Sequence, residues 1–226
     1  MNRRLMTTLK VLIKDIQFRT PLRKYLLPSY ELNFTPVQLS FLCQCLEQTK
    51  DCAGAIAEVG CARGLTTIFL SRFLDGIGSQ KTYFAVDTFH GFVPADVDFE
   101  VNSRGKRRGI YTGFSVNRQE WFDATMRRNN ISRVRSIKAD VNVFDLTTLG
   151  DLSFVLLDVD LYRPMKKSLS ELYGQLSPGG IMVVDDCSPK HSKFDGADQA
   201  YREFAAEVNQ PIEVVHGKLG VVRNQA

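Results

Sequence analysis

Two short apolar runs constrain the fold of this chain more than any other feature. They are Phe154-Val155-Leu156-Leu157 and Ile181-Met182-Val183-Val184. Runs this short and this uniformly apolar read as strands buried on both faces of a parallel sheet. The first ends in Asp158-Val159-Asp160 and the second in Asp185-Asp186. In open α/β sheets ligands bind at the C-terminal edge of the strands, so four carboxylates stand where a ligand is expected.

The same grammar extends in both directions. Ala55 to Val59 reads as the first strand and leads into Gly60-Cys61-Ala62-Arg63-Gly64-Leu65-Thr66-Thr67, then a helix. A strand, a glycine-bearing turn and a helix N-terminus build a cradle for an anionic or nucleotide-like cofactor. The G-x-x-x-G spacing is not the G-x-G-x-x-G of dinucleotide binders, which argues against a nicotinamide-dependent oxidoreductase. Tyr83 to Val86 is the second strand, and Asp87 at its end suits a ribose diol, because a carboxylate accepts both hydroxyl hydrogens. Val134 to Lys138 is the third strand. Asp140 after it is a candidate acceptor for an adenine amino group, or an ordinary loop aspartate.

Between these strands the spacing predicts helices. Thr35-Pro36 caps one that runs to Gln48 with Val37, Phe41, Leu42 and Cys45 inward. Asn117-Arg118-Gln119-Glu120 resembles a capping box for another, with Trp121 as a packing residue. Pro164 starts a third, Ser177-Pro178-Gly179-Gly180 reads as a turn, and Gly196 precedes a last helix. Ile212 to Val215 and Gly220 to Arg223 pair as a hairpin. Residues 88–116 lack periodicity and read as a long loop over the ligand edge.

Charge and composition exclude several functions. Residues 1–24 carry seven basic side chains against Asp15 alone, a net +6, while the whole chain is only +4. Lys10, Lys14 and Asp15 interrupt the apolar residues there, so no export signal is expected. Residues 3–18 read instead as an amphipathic helix for packing or for a homo-oligomer contact, with membrane-surface binding the sharper and less expected reading. No nucleic-acid module or aromatic-basic interleaving is present. Five cysteines without a C-x-x-C pair indicate reduced thiols in a cytoplasmic setting.

The acidic set implies its own chemistry. If the two runs are neighbours, Asp158, Asp185 and Asp186 converge, and three carboxylates in close quarters call for a cation. A hard divalent ion such as Mg²⁺ suits oxygen donors. Asp160 is the favoured general base for an alcohol held there, with His191 as its rival.

Glu58-Val59-Gly60, Arg63-Gly64 and Asp87-Thr88-Phe89-His90-Gly91-Phe92 together resemble class I S-adenosylmethionine-dependent methyltransferases. Leu157-Asp158-Val159-Asp160-Leu161-Tyr162, Leu176-Ser177-Pro178-Gly179-Gly180 and Val184-Asp185-Asp186 narrow the resemblance to the macrocin O-methyltransferase family, over roughly residues 54–223. That resemblance implies an α/β Rossmann-like, doubly wound seven-stranded sheet of order 3-2-1-4-5-7-6. It implies S-adenosylmethionine near Glu58, Gly60, Gly64, Thr66 and Asp87, and a divalent metal on Asp158, Asp185 and Asp186. The base is then Asp160, and the acceptor a small-molecule hydroxyl, expected on a sugar. Residues 1–50 form a helical extension in this reading and residues 51–226 the methyltransferase domain. A non-catalytic binding module of the same fold is the remaining alternative.

Overall fold

The computed structural model describes residues 3–21, 23, 27, 29–188, 190 and 193–224. Its apolar runs pair into a seven-stranded sheet: β1 (Ala55–Val59), β2 (Tyr83–Asp87), β3 (Val134–Lys138), β4 (Leu152–Leu157), β5 (Leu176–Val184), β6 (Glu213–Val215) and β7 (Leu219–Arg223). The order is β3-β2-β1-β4-β5-β7-β6, as the resemblance implied. The first five strands run parallel, and β7 returns antiparallel beside β5. All six residues of β4 are buried, which is why Phe154 to Leu157 are apolar without alternation.

The helices are α1 (Arg3–Phe18), α2 (Pro36–Gln48), α3 (Leu65–Gly76), α4 (Pro94–Arg104), α5 (Gln119–Arg128), α6 (Tyr162–Tyr173) and α7 (Asp195–Glu207). Strand alternation divides the core. Val59, Val155, Leu157 and Met182 meet Met165, Leu169 and Leu172 of α6 and Ala200, Tyr201 and Phe204 of α7. Ala85, on the opposite side of β2, packs with Phe122 and Met126 of α5 and with Ile68 of α3. No helix of the described residues is long and apolar enough to cross a membrane.

The chain separates into two compact units, residues 1–33 and 34–226, so the division expected at residue 50 falls between Asn33 and Phe34. The first unit contains α1, over the residues expected. In the second, α2 is capped as its sequence predicts: Thr35 Oγ1 accepts from Gln38 N, and Gln38 Oε1 accepts from Thr35 N. Its tie to the hairpin is the bond from Gln38 Nε2 to the His216 carbonyl, at 3.0 Å.

Several local expectations are corrected. Residues 88–116 hold α4 and a 3₁₀ turn at Arg108–Tyr111. The inward side of α4 carries Asp96, Val97 and Glu100, so charge breaks the apolar period by which a helix is read. Ser177 to Gly180 lie within β5 as a bulge, where the pairing jumps from Leu152↔Leu176 to Phe154↔Ile181. Val37 is exposed, because the buried stripe of α2 runs through Leu39, Leu42, Cys45 and Leu46. Trp121 is half exposed, with the Arg118 guanidinium 5.3 Å from its ring centre. Asn117 makes no capping box: Arg118 is the N-cap of α5, without a side-chain bond.

Candidate active site

The cradle begins at the end of β1. Glu58 is buried beneath α3, where the hydroxyls of Thr67 and Tyr83 both donate to its Oε2, at 2.5 and 2.8 Å. Burial pushes its carboxyl up to about 7, against a lowering by those two hydrogen bonds. Between about pH 4.5 and pH 7 the folded protein therefore keeps a proton on Glu58 that the unfolded chain has released. Its contribution to stability is complete below about pH 4.5 and is lost as pH rises through about 7, an effect on the order of 3 kcal/mol. Glu58→Gln keeps an oxygen for both hydroxyls and removes the titration. Thermal melts from pH 4.5 to 8 should show a shallower loss of stability in E58Q; an unchanged slope would contradict this assignment.

Gly60 follows with φ +94°, and a Cβ there would lie 1.8 Å from the Asp158 carbonyl oxygen. The turn after β1 is thus pressed directly on the chain leaving β4. Its N–H bonds the Val86 carbonyl, while Asp158 N–H bonds the Val59 carbonyl, both at 2.8 Å. Gly64, φ +83°, is the N-cap of α3, and a Cβ on it would meet Met126 and Phe122 of α5 at 2.7 and 2.8 Å. Thr66 sits in the first turn of α3, partly buried. Asp87 braces the turn from β2: its Oδ2 accepts Ala62 N–H at 2.8 Å and its Oδ1 accepts Phe89 N–H at 2.6 Å. Asn117 closes the turn from above, donating to the Ala62 carbonyl at 2.8 Å. Asp140 stands after β3, where its Oδ1 accepts both the backbone and the side-chain N–H of Asn142 at 2.9 Å.

The acidic residues come together at the neighbouring strand ends. The register Leu157↔Val184 places Asp158 beside Asp185, whose N–H bonds the Leu157 carbonyl at 2.9 Å. Asp160 and Asp186 both take left-handed backbone, φ +63° and +57°, which aspartate tolerates better than most side chains. Asp185 and Asp186 are buried. Burial pushes the Asp158 and Asp160 carboxyls well above their ordinary range, and the other carboxylates add to it, Asp185 foremost for Asp158 and Asp186 for Asp160. Asp185 is pushed up to about 6 by burial, with Lys218 opposing. His191 lies outside the described residues.

Lys218 is the residue that sequence reasoning missed. Its ammonium donates to Asp185 Oδ2 at 2.6 Å and to Asp186 Oδ1 at 3.4 Å. The clue was in the pairing: β7 runs back along β5 with Val184 opposite Gly220, so Lys218 lies level with the two aspartates. Among the described residues no three Asp, Glu, His or Cys side chains are already gathered as a metal-binding group. The donor chemistry nevertheless fits a hard divalent cation. Lys218 offsets one charge of the four carboxyls, and among the described residues Asp185 Oδ1 is buried without a hydrogen-bond partner. A buried acceptor of that kind calls for a donor or a cation.

The acidic loop is held from a second side. Glu100 of α4, buried, accepts the N–H of Tyr162 at 2.9 Å and so caps α6 two residues beyond Asp160. This is why α6 starts at Tyr162 rather than at Pro164. Arg104 links Glu100 to Asp195 at the start of α7, with N–O distances of 2.9 and 2.8 Å, and Lys106 reaches Asp195 at 2.6 Å. Gly196 fits against this junction: a Cβ there would meet Tyr162 N at 2.7 Å. A cleft of about 340 Å³ opens beside it, walled by Phe99, Arg104, Tyr162 and Gln199. Phe92 stacks edge-on with Tyr111 and Phe114, adding an aromatic cluster on the segment after β2.

Comparison with known proteins agrees with this architecture. An O-methyltransferase from Streptomyces olivaceus that acts at the 4′ position of 8-demethyl-8-(2,3-dimethoxy-α-L-rhamnosyl)-tetracenomycin C is 25% identical over 170 residues, 73% of this chain. The chain spans 63% of the length of that relative. The O-methyltransferase NovP has a similar fold, with a TM-score of 0.67 at 20% identity over 83% of this chain and 79% of its own. The calicheamicin methyltransferase CalS11 gives a TM-score of 0.63 at 20% identity over 99% of this chain and 93% of its own. The profile of the macrocin O-methyltransferase (TylF) family matches residues 37–223, and with that span covered the chain belongs to this family.

Proposed function

We propose that this protein transfers the methyl group of S-adenosylmethionine to a hydroxyl oxygen of a sugar or glycosylated small molecule, assisted by a divalent cation, with Mg²⁺ the best fit. The observation that carries the reading is the contact of Gly60 with the Asp158 backbone, which sets the cofactor cradle directly against the acidic set. The family, and the Streptomyces olivaceus relative that acts on a rhamnosyl compound, support the hydroxyl acceptor.

S-adenosylmethionine supplies an electrophilic methyl group, and a divalent cation lowers the pKa of a hydroxyl. The chain's own residues do the rest. Asp87, already fixed by two backbone N–H groups, offers its remaining lone pairs to a ribose diol. The N-terminus of α3 and the Gly60–Gly64 backbone favour the anionic end of the cofactor. Asp158, Asp185 and Asp186 would hold the cation. Asp160 is placed to take the hydroxyl proton on its carboxylate, and a cation held by Asp158, Asp185 and Asp186 would offset the crowding that otherwise keeps that carboxyl protonated. The aromatic segment after β2 excludes water from the acceptor side.

Calorimetry with S-adenosylmethionine tests the cofactor, and labelled methyl transfer to a panel of glycosides and nucleotide sugars tests the acceptor. Micromolar cofactor binding and labelled sugar product are expected. A folded preparation that binds no S-adenosylmethionine would overturn the reading.

A further inference from the structure

Lys218 is too well placed to be an incidental surface lysine. It leaves a tight turn in which His216 and Gly217 have φ +49° and +85°. The turn is anchored from α2 by Gln38, and the Phe41 ring lies 5.1 Å from that of His216. The Lys218 carbonyl accepts Cys187 N–H at 2.7 Å, stitching the turn to the residue after Asp186. Its side chain is only 14% exposed, and the ammonium lies 5.0 Å from the centre of the Phe34 ring. From there it reaches Asp185 and Asp186, two of the three residues assigned to the cation.

We propose that Lys218 is the resident counter-cation of the Asp185–Asp186 pair and competes with the divalent cation for it. This rests on the divalent reading given above. A positive charge 2.6 Å from a ligand oxygen repels an incoming cation and occupies one of the oxygens that cation needs. With Lys218 in place the acidic residues stay together without metal, and a divalent cation would have to displace the ammonium from their oxygens. The site is thereby a weak divalent binder that keeps its shape when empty.

Binding of Mn²⁺, followed by titration calorimetry and by the loss of the free-ion paramagnetic resonance signal, tests this in the full chain. Lys218→Met removes the charge and keeps an unbranched stem beside Phe34. It should tighten Mn²⁺ binding about tenfold, as expected when one like charge leaves the site. Lys218→Arg keeps the charge and should stay near the wild-type affinity. Equal or weaker Mn²⁺ binding by K218M overturns the competition while leaving the divalent reading intact. Absence of Mn²⁺ binding from wild type and K218M alike overturns the divalent reading itself; binding by K218M alone supports the competition. S-adenosylhomocysteine binding reports whether each variant is folded. Wild-type protein gives a second readout that needs no variant: acetylation of Lys218 by an amine reagent, read by mass spectrometry, should rise several-fold in saturating Mg²⁺. Unchanged reactivity there also overturns the proposal.

Discussion

Asp160→Asn should lower the turnover of methyl transfer by roughly 10²–10⁴-fold while leaving S-adenosylmethionine affinity unchanged. The substitution is nearly isosteric, and asparagine tolerates the left-handed backbone at φ +63° as well as aspartate does. What disappears is the ability to accept a proton. The wild-type carboxyl is partly buried and faces Asp186, and both effects push it well above the ordinary aspartate range. The same crowding means that D160N relieves repulsion, and its melting temperature should not fall. Single-turnover rates, calorimetry and a thermal melt separate the three effects. Wild-type turnover in D160N would remove Asp160 from the base role, and His191→Ala would then be the variant to examine.

The parts of this protein that could be read from its sequence are those in which neighbours in space follow from local pattern. Phe154 to Leu157 of β4 and Ile181 to Val184 of β5 are apolar throughout because both faces are covered there, and the aspartates that follow mark the ligand edge without further information. Gly60 could be placed at a turn by its position after β1, although the atom that demands glycine belongs to Asp158, 98 residues later. α4 stayed hidden because two of its three buried residues are Asp96 and Glu100, whose burial is made tolerable by partners on α6, on the loop after β3 and, through Arg104, on α7. A pattern of hydrophobic residues carries no trace of such a helix. Lys218 stayed hidden for a related reason. Its partners lie 32 and 33 residues away, and only the β5–β7 register brings them together.

These two hidden residues bear on the same few atoms. Glu100 fixes the first turn of α6 immediately after Asp160, and Lys218 fixes Asp185 and Asp186 from the turn that leads into β7. The acidic set is therefore supported by tertiary contacts rather than by the two strands alone. That support matters because a cluster of carboxylates tends to spread apart, and a reacting group must be held closely to be useful.

Gly60→Ala should be the most damaging single-methyl change in the molecule. The added Cβ would stand 1.8 Å from the Asp158 carbonyl oxygen and 2.6 Å from its carbon, and the backbone at φ +94° is one that alanine resists. Neither strand can yield easily. Gly60 is tied to β2 through Val86, and Asp158 is tied to β1 through Val59, each at 2.8 Å. Relief requires breaking at least one of these bonds at the ends of the central strands, so the cost should exceed about 4 kcal/mol, a large part of the stability of an ordinary domain. For a chain of this size that corresponds to a fall in melting temperature of roughly 10 °C or more, or to failure to accumulate folded protein. Gly105→Ala is the matched control. Gly105 also has positive φ, +68°, but a Cβ there meets nothing within 4 Å. It should cost only the conformational strain of about 1–2 kcal/mol, and a few degrees. If G60A melts as close to wild type as G105A does, the backbone approach to Asp158 is not what holds the cradle against the acidic loop.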